Sequence, residues 1–153
     1  MSPTERAQRE DVLAIARSWL ATPFVDGASV RGAGADCARF IEAVYKEAGL
    51  IPASYAPPAY TPQLGLHQKR ELYLEELAKV ARKFSGPPLA GDIAVFKHAN
   101  IYWHSAIVVE WPTLVICGMP RLGVGYLDPS RDPHAKRHAR DFPPQFFTFW
   151  SED

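Results

Sequence analysis

The segment GAGADCARFIEAVYKEAGL, residues 32–50, sets Cys37 where a glycine-rich approach turns into an amphipathic run. A thiol in the first turn of a helix sits at the positive end of the macrodipole. Free backbone N–H groups there stabilise a thiolate, so the pKa of Cys37 is expected to fall. The same N–H groups could form part of an oxyanion hole. A second explanation stays open: free cysteine is among the most buried residue types, and Cys37 also suits the buried face of the helix as a small hydrophobe.

A nucleophilic cysteine needs a base. The candidates are His67, His98, His104, His134 and His138. His67 opens a helical pattern, where a solvated polar position is expected, and His98 falls between strand-like segments. His104 begins the run HSAIVVE, so a sheet could hold its imidazole rigidly. His134 and His138 are spaced like metal ligands on a helix. Lys136, Arg137 and Arg140 surround them, and no Glu follows the first His as in zinc peptidases, so a solvated basic loop is expected and no metal. Trp103 and Trp111 flank the His104 strand and read as core packing, with the lining of a substrate groove as the other reading.

The elements that must position these groups follow from pattern. Ser2 is placed as an N-cap, with Pro3 at the first helical position and Glu5 set for a capping box. Val12, Ile15, Ala16, Trp19 and Leu20 form one apolar stripe, which Thr22-Pro23 ends. Cys37, Phe40, Ile41, Val44, Tyr45 and Ala48 recur at helical spacing, with Gly49 as the stop. A third helix is expected from Leu66 to Phe84, after a proline-rich connection. Strands are expected over Asp92–Lys97, His104–Glu110, Thr113–Met119, Gly123–Asp128 and Gln145–Trp150. Turns at Trp111-Pro112 and Pro120-Arg121 suggest an antiparallel meander. Helices followed by strands indicate an α+β domain spanning residues 1–153.

Composition narrows the function classes. Lys plus Arg number 17 and Asp plus Glu number 17, so no net charge directs the chain to nucleic acid or an anionic membrane. No apolar stretch approaches the ~20 residues of a membrane span. The start MSPTERAQRED lacks the apolar core of a signal peptide, so synthesis in the cytoplasm is expected, with any later exit by another route. Cys37 and Cys117 make no disulfide framework.

Four stretches in order, TPFVDGAS, GADCARF, GDIAVF and HSAIVV, resemble the NlpC/p-sixty cell-wall cysteine peptidases. The opening is similar to the GTPY…GxGxDCxG of the branch found in phage tails and gene-transfer-agent particles. The resemblance runs from about Trp19 to Val124. It implies a compact papain-like fold, with helices on a roughly five-stranded antiparallel sheet. It implies Cys37 as nucleophile, His104 as general base and Asp36 as a substrate contact, with Phe24 and Ala38 beside it. The implied reaction is hydrolysis of an amide bond in a peptidoglycan stem peptide, without metal or cofactor. Phage-tail or tail-like particle proteins are the implied partners.

The chain also departs from that pattern. Phe24 stands where the family has Tyr, and Ala38 and Arg39 stand where it often has Ser and Gly. At the third catalytic position, which orients the imidazole, LVICG aligns Cys117 with the family's His, Asn or Gln. A thiol is a weak acceptor. Cys117 filling the role poorly, replacement by Glu110 or Asn100, a Cys37–Cys117 disulfide, and a domain retained for tail assembly or wall binding all stay open.

Overall fold

The computed structural model describes residues 1–57, 71–98, 101–133, 135 and 141–151. Two helices open the chain, α1 (Pro3–Ser18) and α2 (Cys37–Glu47), with the two-residue strands β1 (Ser29–Val30) and β2 (Gly34–Ala35) between them. A short α3 (Leu72–Leu77) follows, then β3 (Arg82–Phe84), β4 (Ile93–His98), β5 (Ile101–Glu110), β6 (Leu114–Met119), β7 (Gly123–Leu127) and β8 (Gln145–Thr148). The last six strands form one antiparallel sheet in the order β3-β8-β4-β5-β6-β7. The expected meander is β4 through β7, and β8 returns along the free edge of β4.

The caps act as their residue types dictate. Ser2 Oγ accepts the Glu5 N–H at 3.1 Å. The Glu5 carboxylate turns to the Arg9 guanidinium instead of completing a capping box. Helix α1 stops at Ser18, several residues before Thr22-Pro23, because Trp19 caps it and Ala21 takes a positive φ of 69°. Helix α2 ends in a Schellman motif: Gly49, at φ 77°, donates to the Lys46 carbonyl and Leu50 to that of Tyr45.

The sheet alternates as a half-covered sheet must. Ile93 and Val95 of β4, Ile107 of β5, Ile116 of β6 and Phe147 of β8 face the helices. They pack with Val12 and Ala16 of α1 and with Phe40, Ile41 and Val44 of α2. Ala94, Phe96, Ala106, Val108, Val115 and Cys117 share a smaller cluster on the opposite face. Arg9, 6% exposed, ties α1 to the mouth of β4 through Asp92 Oδ1 at 3.0 Å and the Ala90 carbonyl at 2.9 Å. Its guanidinium lies 4.0 Å over the Trp150 ring.

Two expectations need correction. Among the described residues the helical pattern read from Leu66 to Phe84 yields a helix over Leu72–Leu77, and 58–70 lie outside them. Arg82–Phe84 pair with β8 as an edge strand, Arg82 opposite Thr148 and Phe84 opposite Phe146. The apolar spacing of Val80, Ala81 and Phe84 suited a helix, but the open side of β8 offered backbone partners that a helix end could not use. Strand β5 begins at Ile101, so His104 lies inside it and not at its start.

Candidate active site

Cys37 occupies the first helical position of α2 behind the N-cap Asp36. The cap is held twice: Oδ1 accepts the Arg39 N–H at 2.8 Å, and Oδ2 accepts the Gly27 N–H at 2.7 Å. Asp36 is 8% exposed, so its carboxylate is first a structural clasp joining α2 to the loop before it. Phe24, half-buried, bridges to Ala35 alongside this loop, and Ala38 is buried in the first turn. Arg39, at the unfavourable end of the dipole, is offset by an ion pair with Glu42 at 3.0 Å.

Strand β6 makes room for this turn. A Cβ on Gly118 would stand 3.2 Å from both the Cα and the N of Cys37, so glycine lets the start of α2 rest on the sheet closer than a side chain would without a shift. Glycine inside a strand run is a sign of such backbone approach.

Strand β5 completes the site through a bulge. Phe96 pairs with His104 and Lys97 with Tyr102, which leaves Trp103 as the extra residue. The Cys37 thiol donates to the Trp103 carbonyl at 3.9 Å, and the Ser105 N–H faces the same sulfur. His104 is the residue between those two contacts. Sixty-six positions separate Cys37 from Trp103 in sequence, so the sheet alone creates this meeting. The His104 ring lies 6.2 Å from that of Phe96 and meets that of Trp103 edge-on at 6.2 Å.

The thiol is not acidic at rest. Burial, followed by the Asp36 charge, pushes Cys37 up to about 12 from 9.0, although the N–H groups of Ser105, Ala38 and Cys37 itself pull the other way. The expected depression by the helix N-terminus is therefore outweighed: Cys37 is 1% exposed, and desolvating a thiolate costs more than three backbone dipoles return.

Cys117 lies on the face of the sheet away from the helices, where strand alternation also directs His104. It is fully buried and pushed up to about 12, chiefly by burial, then by the charges of Cys37 and Asp132. Both cysteines are free, so the disulfide left open by the sequence is not formed. Glu110 ends β5 six residues from His104, about 20 Å along an extended chain, too far to orient it. Asn100, His67, His134 and His138 lie outside the described residues. Trp111 packs against Phe96 and Phe146 at 6.3 and 5.1 Å, as a core residue does. Among the described residues no group of His, Cys, Asp and Glu could hold a metal ion, and no helix is long and apolar enough to cross a membrane. Ser105, Gly118 and Tyr73 went unnoticed in the sequence as site residues, and only Gly118 carried a signal there.

A helix opening on a buried cysteine, laid against an antiparallel sheet at a bulged histidine strand, defines an α+β architecture of papain-like type. Solved structures share it. The NlpC/p60 domain of the peptidoglycan hydrolase SagA superposes with a TM-score of 0.58 at 19% identity, covering 92% of this chain and 97% of that one. A protein similar to lipoprotein, of the NLP/P60 family, from Staphylococcus aureus gives a TM-score of 0.60 at 18% identity over 86% of this chain. This chain spans 39% of that longer protein. At these identities the likeness establishes the NlpC/p60 fold. No protein-family model and no curated protein matches the chain.

Proposed function

We propose that the chain is a cysteine amidohydrolase of peptidoglycan stem peptides, with Cys37 as nucleophile and His104 as general base. The observation that carries this reading is the position of Cys37 Sγ between the Trp103 carbonyl and the Ser105 N–H, astride His104. The shared fold of the SagA peptidoglycan hydrolase domain supports the choice of substrate. The similarity of its opening motif to the phage-tail branch supports action from a phage or phage-like particle.

In the proposed cycle the His104 ring, which its pairing with Phe96 sets on the face away from α2, turns toward Cys37 and takes the thiol proton as sulfur attacks the scissile carbonyl. The N–H groups of Cys37 and Ala38 receive the oxyanion, as the N-terminus of a helix can. The imidazolium then protonates the leaving amine, the C–N bond breaks, and a thioester remains. Water, deprotonated by His104, hydrolyses the thioester and frees the acid and the thiol. Cys117 takes the third position, and Asp36, Phe24 and Ala38 border the substrate.

A second reading has its own observation. Cys117 is a buried, neutral thiol, a weak partner for an imidazole. It favours a catalytically impaired domain kept as a tail-assembly or wall-binding module. Muropeptide digestion followed by mass spectrometry decides between the two. New products that disappear in Cys37→Ala support the hydrolase, whereas wild type and Cys37→Ala equally inert across a range of pH refute it.

A further inference from the structure

Tyr73 sits on α3, and its ring packs at the rim of the main core. Its hydroxyl donates to Ser105 Oγ at 2.7 Å. Ser105 is fully buried and lies opposite Val95, next to Ile107, on the apolar face that the helices cover. Packing there asks for an alanine or valine at 105 and a phenylalanine at 73. A buried hydroxyl costs free energy unless it is bonded, so two of them spent on each other in an apolar setting call for a reason.

The reason lies one bond further on. The Ser105 N–H is the donor that reaches Cys37 Sγ, and Ser105 is the residue that follows His104. A chain therefore runs from the Tyr73 O–H to Ser105 Oγ, and from the Ser105 N–H to the sulfur. Burial, and then the charges of Cys37 and Asp36, keep the Tyr73 phenol protonated far above neutrality, so it remains a donor wherever the thiol works.

We infer that Tyr73 is a positioning residue for Cys37, acting through Ser105 to hold the bulged segment of β5 and its N–H donor against the sulfur. The inference rests on the reading of Cys37 as nucleophile, and it assigns a role to a residue remote from the cysteine and histidine motifs. With the hydroxyl removed, Ser105 loses its anchor, the N–H contact loosens and the thiolate loses a donor. The other titratable groups around the sulfur are Asp36 before α2, His104 on β5 and Cys117 on β6.

The test uses the full chain, with Cys117→Ala introduced for the alkylation assay alone so that a single thiol reports, and Cys117 retained for turnover. The iodoacetamide alkylation rate of Cys37 is followed from neutral pH upward, and kcat and KM are measured on muropeptides. Tyr73→Phe, which keeps the ring, is expected to raise the midpoint of the alkylation profile by about half a unit to one unit, the scale of one hydrogen bond. It should lower kcat about three- to tenfold with KM unchanged. Ser105→Ala should produce the same shift, and the double variant no more than either single one. Ser105→Thr, which keeps the hydroxyl, should retain the wild-type profile, and Ser105→Ala stands in for Tyr73→Phe if that variant does not fold. An unmoved midpoint in Tyr73→Phe, or shifts that add in the double variant, overturns the inference. A moved midpoint in a protein that hydrolyses nothing sustains Tyr73 and defeats only the hydrolase, whereas Cys37-dependent hydrolysis with an unmoved midpoint does the reverse.

Discussion

Replacing Gly118 with alanine tests whether the sheet and the nucleophile are built as one unit. Gly118 has an ordinary backbone conformation, so alanine brings no φ strain, and the whole effect is steric. The new methyl would stand 3.2 Å from the Cα and N of Cys37 and 3.4 Å from the carbonyl carbon of Asp36. Carbon contacts are optimal near 3.5–4.0 Å, so α2 or β6 must give by a few tenths of an ångström. All three neighbours are backbone, and no side chain can rotate away. Overpacking of this kind costs about 1–3 kcal/mol. For a chain of this size that is a fall in Tm of about 3–10 °C. The displaced atoms carry the thiol, and sub-ångström misplacement of a nucleophile is expected to reduce turnover about tenfold or more. Gly125→Ala on β7 is the control: its methyl would also meet an atom at 3.2 Å, but that atom is the terminal methyl of Met119, which can swing aside. Scanning calorimetry and muropeptide turnover are measured on both variants. A Gly118→Ala protein with the Tm and turnover of Gly125→Ala would refute the claim that β6 seats the first turn of α2.

Two further outcomes follow from the same contacts. The Asp36 charge raises the Cys37 pKa, so Asp36→Asn, which keeps the acceptor for the Arg39 N–H and gives up the one for Gly27, should lower the alkylation midpoint from about 12 by roughly one unit or more, and an unmoved or raised midpoint would contradict it. Arg9→Met should leave the Asp92 carboxylate, 3% exposed, without its cation, at a cost of about 3–5 kcal/mol in urea unfolding, while the paired Arg9→Met/Asp92→Leu variant should recover much of it.

The parts of the fold legible in the sequence are those set by local periodicity and caps. The stripe of α2, the Gly49 stop and five of the six strands of the large sheet follow from side chains a few residues apart. β3 was not legible, because Arg82–Phe84 become a strand only through the open edge of β8, more than sixty residues on. The start of β5 was lost for a related reason: the bulge at Trp103 exists only against β4. At the site, motif resemblance named Cys37 and His104, and chain topology explains why their neighbourhoods meet. Tyr73 read as one more core aromatic, since nothing in its own sequence context reveals that its hydroxyl ends on Ser105.

The acidity of Cys37 is where local reasoning gave the opposite sign, and the reversal bears on how such a site can operate. An N-terminal helical thiol in the open would be depressed by the dipole. Here the same turn is pressed onto β6 at Gly118 and closed over by β5, so the thiolate is stripped of water and set beside a carboxylate. Raising a thiol from 9.0 to about 12 corresponds to an expense on the order of 4 kcal/mol for a free-standing thiolate. A nucleophile in this setting is used most cheaply when the proton leaves as the sulfur bonds to carbon, so that no isolated thiolate accumulates. Proton transfer to His104 and attack on the carbonyl then become one step, and the backbone N–H groups of Cys37 and Ala38, with nothing to stabilise at rest, are left for the charge that develops on the carbonyl oxygen.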